Sequence, residues 1–304
     1  MSGMLPVALG ALAGIVGLMG GGLYVFQERL LYLPQLPSRA YDVLPSNFAG
    51  LGFEDVFLRS ADGTRIHSWL VYPSADEARE APRSTLLYFH GNAGNLAHRL
   101  PDVQSMVALC SCNVLMVSYR GYGMSEGSPS ESGIKQDARA ALEYCMAGGG
   151  DGAHISPRRL YVFGRSIGGA VALWLAHQYP NVIRGVIVEN TFTSVNDMID
   201  TVFPRMLRWV KRLNRNRWDT QSFIPDVRVP VLFLSGRRDE LVPPRHMDVL
   251  YERCRSGTSP LCKVVHIEDG THNDTWYRGG RLYYESITSF IEEAQKLKPQ
   301  QQPE

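Results

Sequence analysis

The first 26 residues carry no charged side chain. A secretory leader opens on basic residues and has a shorter apolar core, so this stretch is read as a retained anchor rather than a cleaved signal. As a helix rising about 1.5 Å per residue, residues 1–26 reach across a hydrocarbon layer of roughly 30 Å. Gly10 and Gly14, and Gly17 and Gly21, have the spacing of a helix-packing face. The oligomeric state does not follow from them.

Other absences narrow the function. The net charge is only +1, which leaves no basic excess for a nucleic-acid partner. There is no H-E-x-x-H, no Cys/His cluster and no G-x-x-x-x-G-K-[ST], so neither a metal hydrolase nor a phosphate-binding loop is indicated. The five cysteines show no C-x-x-C spacing and read as buried thiols. Cys254 and Cys262 flank a short loop and could be bridged, which spacing alone does not decide.

What is present is a 304-residue chain, 44% apolar and 20% charged, suited to one large α/β domain. Residues 27–50 read as a Pro-containing connector, 51–296 as the domain and 297–304 as a disordered tail. Within the domain, a hairpin (53–60 and 64–72) precedes apolar strands at 84–91, 113–121, 159–164, 184–190, 229–236 and 262–268, with helical stretches between them. Such alternation predicts a mostly parallel sheet covered by helices on both faces. Residues 191–228 are too long for a plain connector and are expected to form a small lid.

The stretch "VFGRSIGGAV" places Ser166 between Gly164 and Gly168, where a buried strand turns into a helix. That is the pattern of a strained turn that lifts a nucleophile to a helix N-terminus. A serine hydroxyl needs a base, and the base an orienting acid. In an open parallel sheet active groups collect at the C-terminal strand ends. Of the eight histidines, only His272, in "EDGTHND", follows the last strand. Asp239, in "LSGRRDELVPP", follows the strand before it, with Glu240 as the competing acid. The oxyanion donors are expected to be the N–H groups of Ile167 and Asn92, the latter in "HGNAGN" with Ala93 as its near alternative. His90, at the same strand end, reads as structural.

The stretches "LLYFHGNAGNLAHRLP", "SYRGYGMSEGSPSE", "VFGRSIGGAVA", "VENTFTS" and "DGTHNDTW" occur in this order. They resemble the α/β-hydrolase superfamily, and within it the membrane-anchored group typified by α/β-hydrolase domain-containing protein thirteen. The resemblance spans roughly residues 50–295. It implies the α/β-hydrolase fold and a Ser166–Asp239–His272 triad, with no metal or organic cofactor. It also implies hydrolysis of carboxylic esters or thioesters, since neighbouring groups are protein depalmitoylases and lipid hydrolases. Thus a fatty-acylated protein is the expected substrate, with a glycerolipid as the alternative. A catalytically silent binding protein on the same fold is the rival from another class. Ser118 stands where relatives often have aspartate, which puts a local hydrogen bond to Arg120 in doubt.

Arg29 and Arg39 follow the anchor and none precedes it, a weak lean toward a cytosolic catalytic domain. Residues 198–213 place apolar side chains at mostly three- and four-residue steps, and 205–217 is a basic run with no acid. The basic run is either solvated or set against anionic lipid.

Overall fold

The computed structural model of the chain describes residues 20–74, 83–149 and 155–297. Its eight strands form one sheet in the order β1-β2-β4-β3-β5-β6-β7-β8. They are β1 (Leu51–Arg59), β2 (Arg65–Pro73), β3 (Thr85–Phe89), β4 (Asn113–Val117), β5 (Leu160–Arg165), β6 (Gly185–Glu189), β7 (Val231–Gly236) and β8 (Cys262–Ile267). Only β2 runs against its neighbours; β4, β3, β5, β6, β7 and β8 pair in parallel.

The central strands are buried at every position because both faces are covered. Leu87, Phe89, Val162, Val186 and Phe233 pack on one face with α3 (Glu131–Met146), α4 (Ile167–Gln178) and α7 (Arg245–Arg255). Their strand neighbours Leu86, Tyr88, Phe163, Ile187 and Leu232 pack on the other with α2 (Leu100–Cys110) and α8 (Thr275–Lys296). Alternation along each strand thus feeds two cores, each buried side chain worth about 1.5–3 kcal/mol. Cys254 and Cys262 are free thiols.

A first helix, α1, occupies residues 20–31. The expected anchor over 1–26 falls mostly outside the described residues, and no helix among those described is long and apolar enough to cross a membrane. Residues 27–31 belong to α1 rather than to a connector, and the chain beyond them is tied down. Tyr32 is 2% exposed; its hydroxyl donates to Asn216 Oδ1 (3.0 Å) and accepts from Trp218 Nε1 (3.0 Å).

Between β6 and β7 the chain forms α5 (Val195–Val202), a 3-10 stretch at Arg205–Leu213 and α6 (Thr220–Phe223). Pro204 separates the first two: it lacks the N–H that would continue α5. The basic run is less solvated than its sequence suggests. Arg208 and Lys211 both meet Asp200, and Arg215 donates to Glu28 of α1 at 2.7 Å. Exposed pairs of this kind contribute at most about 1 kcal/mol each, so they orient the segment more than they stabilise it.

Arg120 makes no bond to Ser118. It takes Asp137 Oδ1 (2.8 Å) and Asp62 Oδ2 (2.7 Å), while the Ser118 hydroxyl donates to the Tyr122 carbonyl. Two carboxylates from elsewhere in the chain do the work expected of a local one.

Candidate active site

Ser166 follows β5 and caps α4 with φ 55° and ψ −122°, a region sparsely populated by residues other than glycine. The turn closes only because its flanking residues lack Cβ atoms. A Cβ on Gly164 would lie 2.0 Å from the Gly168 carbonyl oxygen, and one on Gly168 would lie 2.1 Å from that of Phe89. The strained residue is held from both sides: its N–H donates to Glu189 O (2.9 Å) and its carbonyl accepts from Thr191 Oγ1 (2.7 Å). Ser166 Oγ makes no hydrogen bond among the described residues. Such contacts are often long in a free enzyme and tighten with substrate.

His272 and Asp239 are brought together from the loops after β8 and β7. His272 Nδ1 lies 2.7 Å from Asp239 Oδ2, and the Asp239 side chain is 1% exposed. The other carboxylate oxygen accepts from the N–H groups of Leu241 (2.9 Å) and Val242 (2.7 Å). Three contacts therefore hold this carboxylate in place and leave His272 Nε2 available to a substrate-side partner. Glu240 is exposed, Asp269 pairs with Arg238, and Asp274 accepts from Thr271 N–H. None of these three acids meets His272.

Ile167 opens α4, where its N–H has no intrahelical acceptor. Asn92 lies in the loop after β3. Its side chain donates to Leu31 O (3.1 Å), and its carbonyl accepts from Leu33 N–H (2.9 Å) and Tyr122 Oη (2.7 Å). Its own N–H makes no hydrogen bond among the described residues. The loop is thus pinned through the side-chain NH₂ and the carbonyl of Asn92, and its N–H is the group expected to serve the oxyanion. His90 is buried, lies 2.7 Å from the Gly91 carbonyl through Nδ1, and is pushed by burial down to about 3. It is neutral at physiological pH and faces away from base chemistry.

Asn190 was not singled out by sequence, although it lies in the quoted "VENTFTS". It has φ 47° at the end of β6. Its Nδ2 donates to Thr271 O (3.1 Å) and Thr275 Oγ1 (2.9 Å), while its Oδ1 accepts from Gly236 N–H (2.8 Å). One side chain joins the Asp239 loop to the His272 loop, beside the elbow. An asparagine directly after a buried strand, at the sheet's C-terminal edge, is the signal that would have found it, because asparagine tolerates the left-handed region. Asn190→Ala is expected to lower kcat about 10²-fold with KM little changed, since a small displacement of reacting groups costs that much. Steady-state kinetics on a short-chain ester checks it; a parallel loss of folded protein would instead mark a structural role.

Beneath the elbow lies a second unforeseen group. Arg165 sits between Glu189 (Nε to Oε1, 3.0 Å) and Asp102 (3.2 Å), with the Tyr283 hydroxyl donating to Glu189 at 2.6 Å. Burial pushes the Asp102 carboxyl up to about 7 against the pull of Arg165. Removing one partner of such a buried cluster costs about 3–5 kcal/mol, so it braces the strand end that carries Ser166.

The fold that carries this arrangement has counterparts among known proteins. A family model described as the alpha/beta hydrolase fold matches residues 84–217. The alpha/beta hydrolase domain-containing protein WAV2 of Arabidopsis thaliana is 42% identical over 298 residues, covering 93% of this chain and 92% of that one. The chain is an α/β hydrolase. An uncharacterized membrane protein of Saccharomyces cerevisiae is a further relative of this α/β hydrolase, 34% identical over 93% of this chain and 95% of its own. Among solved structures, a Pyrococcus furiosus esterase superposes with a TM-score of 0.65 at 19% identity, covering 83% of this chain and 96% of that one. At that identity the likeness concerns the α/β-hydrolase fold alone.

Proposed function

We propose that this α/β hydrolase is a membrane-anchored serine hydrolase that cleaves fatty-acyl esters or thioesters, most simply as an acyl-protein thioesterase. The observation that carries the chemistry is the buried Asp239–His272 pair at 2.7 Å, set at the same sheet edge as the strained Ser166. Ser166 Oγ attacks the acyl carbonyl while His272 Nε2 takes its proton. Asp239 holds His272 in the tautomer that can accept and stabilises the imidazolium. The N–H groups of Ile167 and Asn92 receive the developing oxyanion, each worth about 3 kcal/mol in the transition state. The imidazolium then protonates the leaving alcohol or thiol, leaving Ser166 acylated. Water, activated by the same histidine, releases the acid.

The membrane reading is supported by the uncharged stretch before Gln27 and by a relative named as a membrane protein. The test is to incubate the full chain in lipid nanodiscs with a fluorophosphonate probe, and then with a palmitoylated peptide thioester and a lysophospholipid. Labelling at Ser166 with faster turnover of the thioester is expected. Faster lysophospholipid turnover would move the substrate class to glycerolipids, and no labelling would overturn the hydrolase reading in favour of a binding protein.

A further inference from the structure

A cavity of about 280 Å³ lies between α1 and the segment that links β6 to β7. Leu23, Leu30 and Leu31 of α1 form one wall, and Met198, Ile199 and Val202 of α5 form the other. The polar side chains at its edge are already committed. Gln27 Nε2 donates to Leu213 O (3.1 Å) and its Oε1 accepts from Arg215 N–H (2.6 Å). Asn214 donates to Asn196 (2.9 Å), and Asn216 Oδ1 accepts from the Tyr32 hydroxyl (3.0 Å). Among the described residues no unpaired polar side chain lines the cavity, so it suits an aliphatic ligand. Its volume lies just below the range of ligand pockets, about 300–1,000 Å³. That fits one chain rather than the two of a diacyl lipid.

Both walls continue along the chain into residues that hold the candidate active site. The α5 wall begins at its cap Ser194, three residues past Thr191, whose hydroxyl holds the Ser166 carbonyl. The α1 wall ends at Leu31, whose carbonyl accepts from Asn92, and two residues on the Leu33 N–H donates to the Asn92 carbonyl. At the outer rim Leu30 and Val202 are 63% and 65% exposed, and α1 leads back into the uncharged residues 1–19.

We propose that this cavity receives the single fatty-acyl chain of a membrane-borne ester or thioester, and that α1 is a wall of the acyl site as well as the continuation of the anchor. The proposal rests on the serine-hydrolase reading above and adds where the chain lies. Each methylene buried there strengthens transition-state binding by about fourfold, so kcat/KM rises steeply with acyl length until the cavity is full.

The experiment uses the full chain in nanodiscs with p-nitrophenyl acetate, butyrate, laurate and palmitate. Ile199→Trp, which fills the cavity, and Leu30→Asn, a polar change at an exposed rim position, are compared with wild type. Both are expected to lose about tenfold or more on laurate and palmitate and to keep acetate and butyrate turnover within about twofold; retained short-chain activity shows that the variants fold. In parallel, a palmitic acid bearing a terminal diazirine is photolysed on the wild-type protein and the crosslinked peptides are mapped. Crosslinks on α1 and α5 support the site, even if no ester is cleaved and the catalytic reading falls. Ester cleavage with unchanged length profiles in both variants, and crosslinks elsewhere, would overturn the acyl site and leave the catalytic reading standing.

Discussion

Replacing Ser166 by alanine is expected to reduce turnover of every acyl substrate about 10⁶-fold, the loss seen when a triad nucleophile is removed. Stability is expected to stay within about 0.5 kcal/mol of wild type, as for substitutions that break no structural feature. Alanine keeps the Cβ and hence the same strained φ of 55°. It also forfeits no hydrogen bond, since Oγ makes none among the described residues, whereas the holding bonds from Thr191 and to Glu189 involve only the backbone of residue 166. The measurement pairs single-turnover kinetics with a thermal melt. Retention of a tenth of wild-type turnover in a folded Ser166→Ala protein would move the nucleophile elsewhere.

Asp239→Asn is expected to cost about 10⁴ in kcat, by analogy with other triads. The reason lies in the bonds that surround the carboxylate. Two backbone N–H groups, of Leu241 and Val242, point at Oδ1. An asparagine here will turn its carbonyl oxygen toward them and its NH₂ toward His272 Nδ1. That nitrogen must then accept, which places the ring proton on Nε2, the atom meant to take the proton of Ser166. The side chain remains in place but holds the wrong tautomer. KM should change little, because the loss is confined to the transition state. Glu240→Gln, on an exposed neighbour, should be nearly silent; a large loss there with a mild Asp239→Asn would reverse the assignment.

Much of this architecture is legible in the sequence because it rests on short-range patterns. The central strands announce themselves as apolar runs, and the elbow as a serine between glycines whose Cβ atoms have nowhere to go. Asp239 and His272 follow from the rule that active groups gather at strand ends. The illegible parts depend on distant partners. Tyr32 gives no periodic signal, yet it is sealed under Asn216 and Trp218. Pairing of Arg120 with Asp62 and Asp137 spans three segments. The basic run before β7 reads as solvated or lipid-facing because its acids, Asp200 and Glu28, lie outside residues 205–217. Asn190 looks like an ordinary turn residue until both loops it joins are seen.

The seam between residues 31–40 and the loop after β3 bears on how the enzyme searches for substrate. Leu33 N–H and Asn92 O, Gly94 N–H and Leu36 O, and Asn95 Nδ2 with the carbonyls of Ser38 and Ala40 are all joined. A flexible tether of two dozen residues would let a catalytic domain roam roughly 25–30 Å from its point of attachment. Here the tether is stitched down, so no such roaming volume exists. On the proposed membrane reading, the active site rides at one height and one tilt above the bilayer. Substrates whose scissile bond lies within that narrow layer meet it at high effective concentration, while those held farther out are never reached, however well their acyl chains would fit. Selection by altitude would thus precede selection by shape.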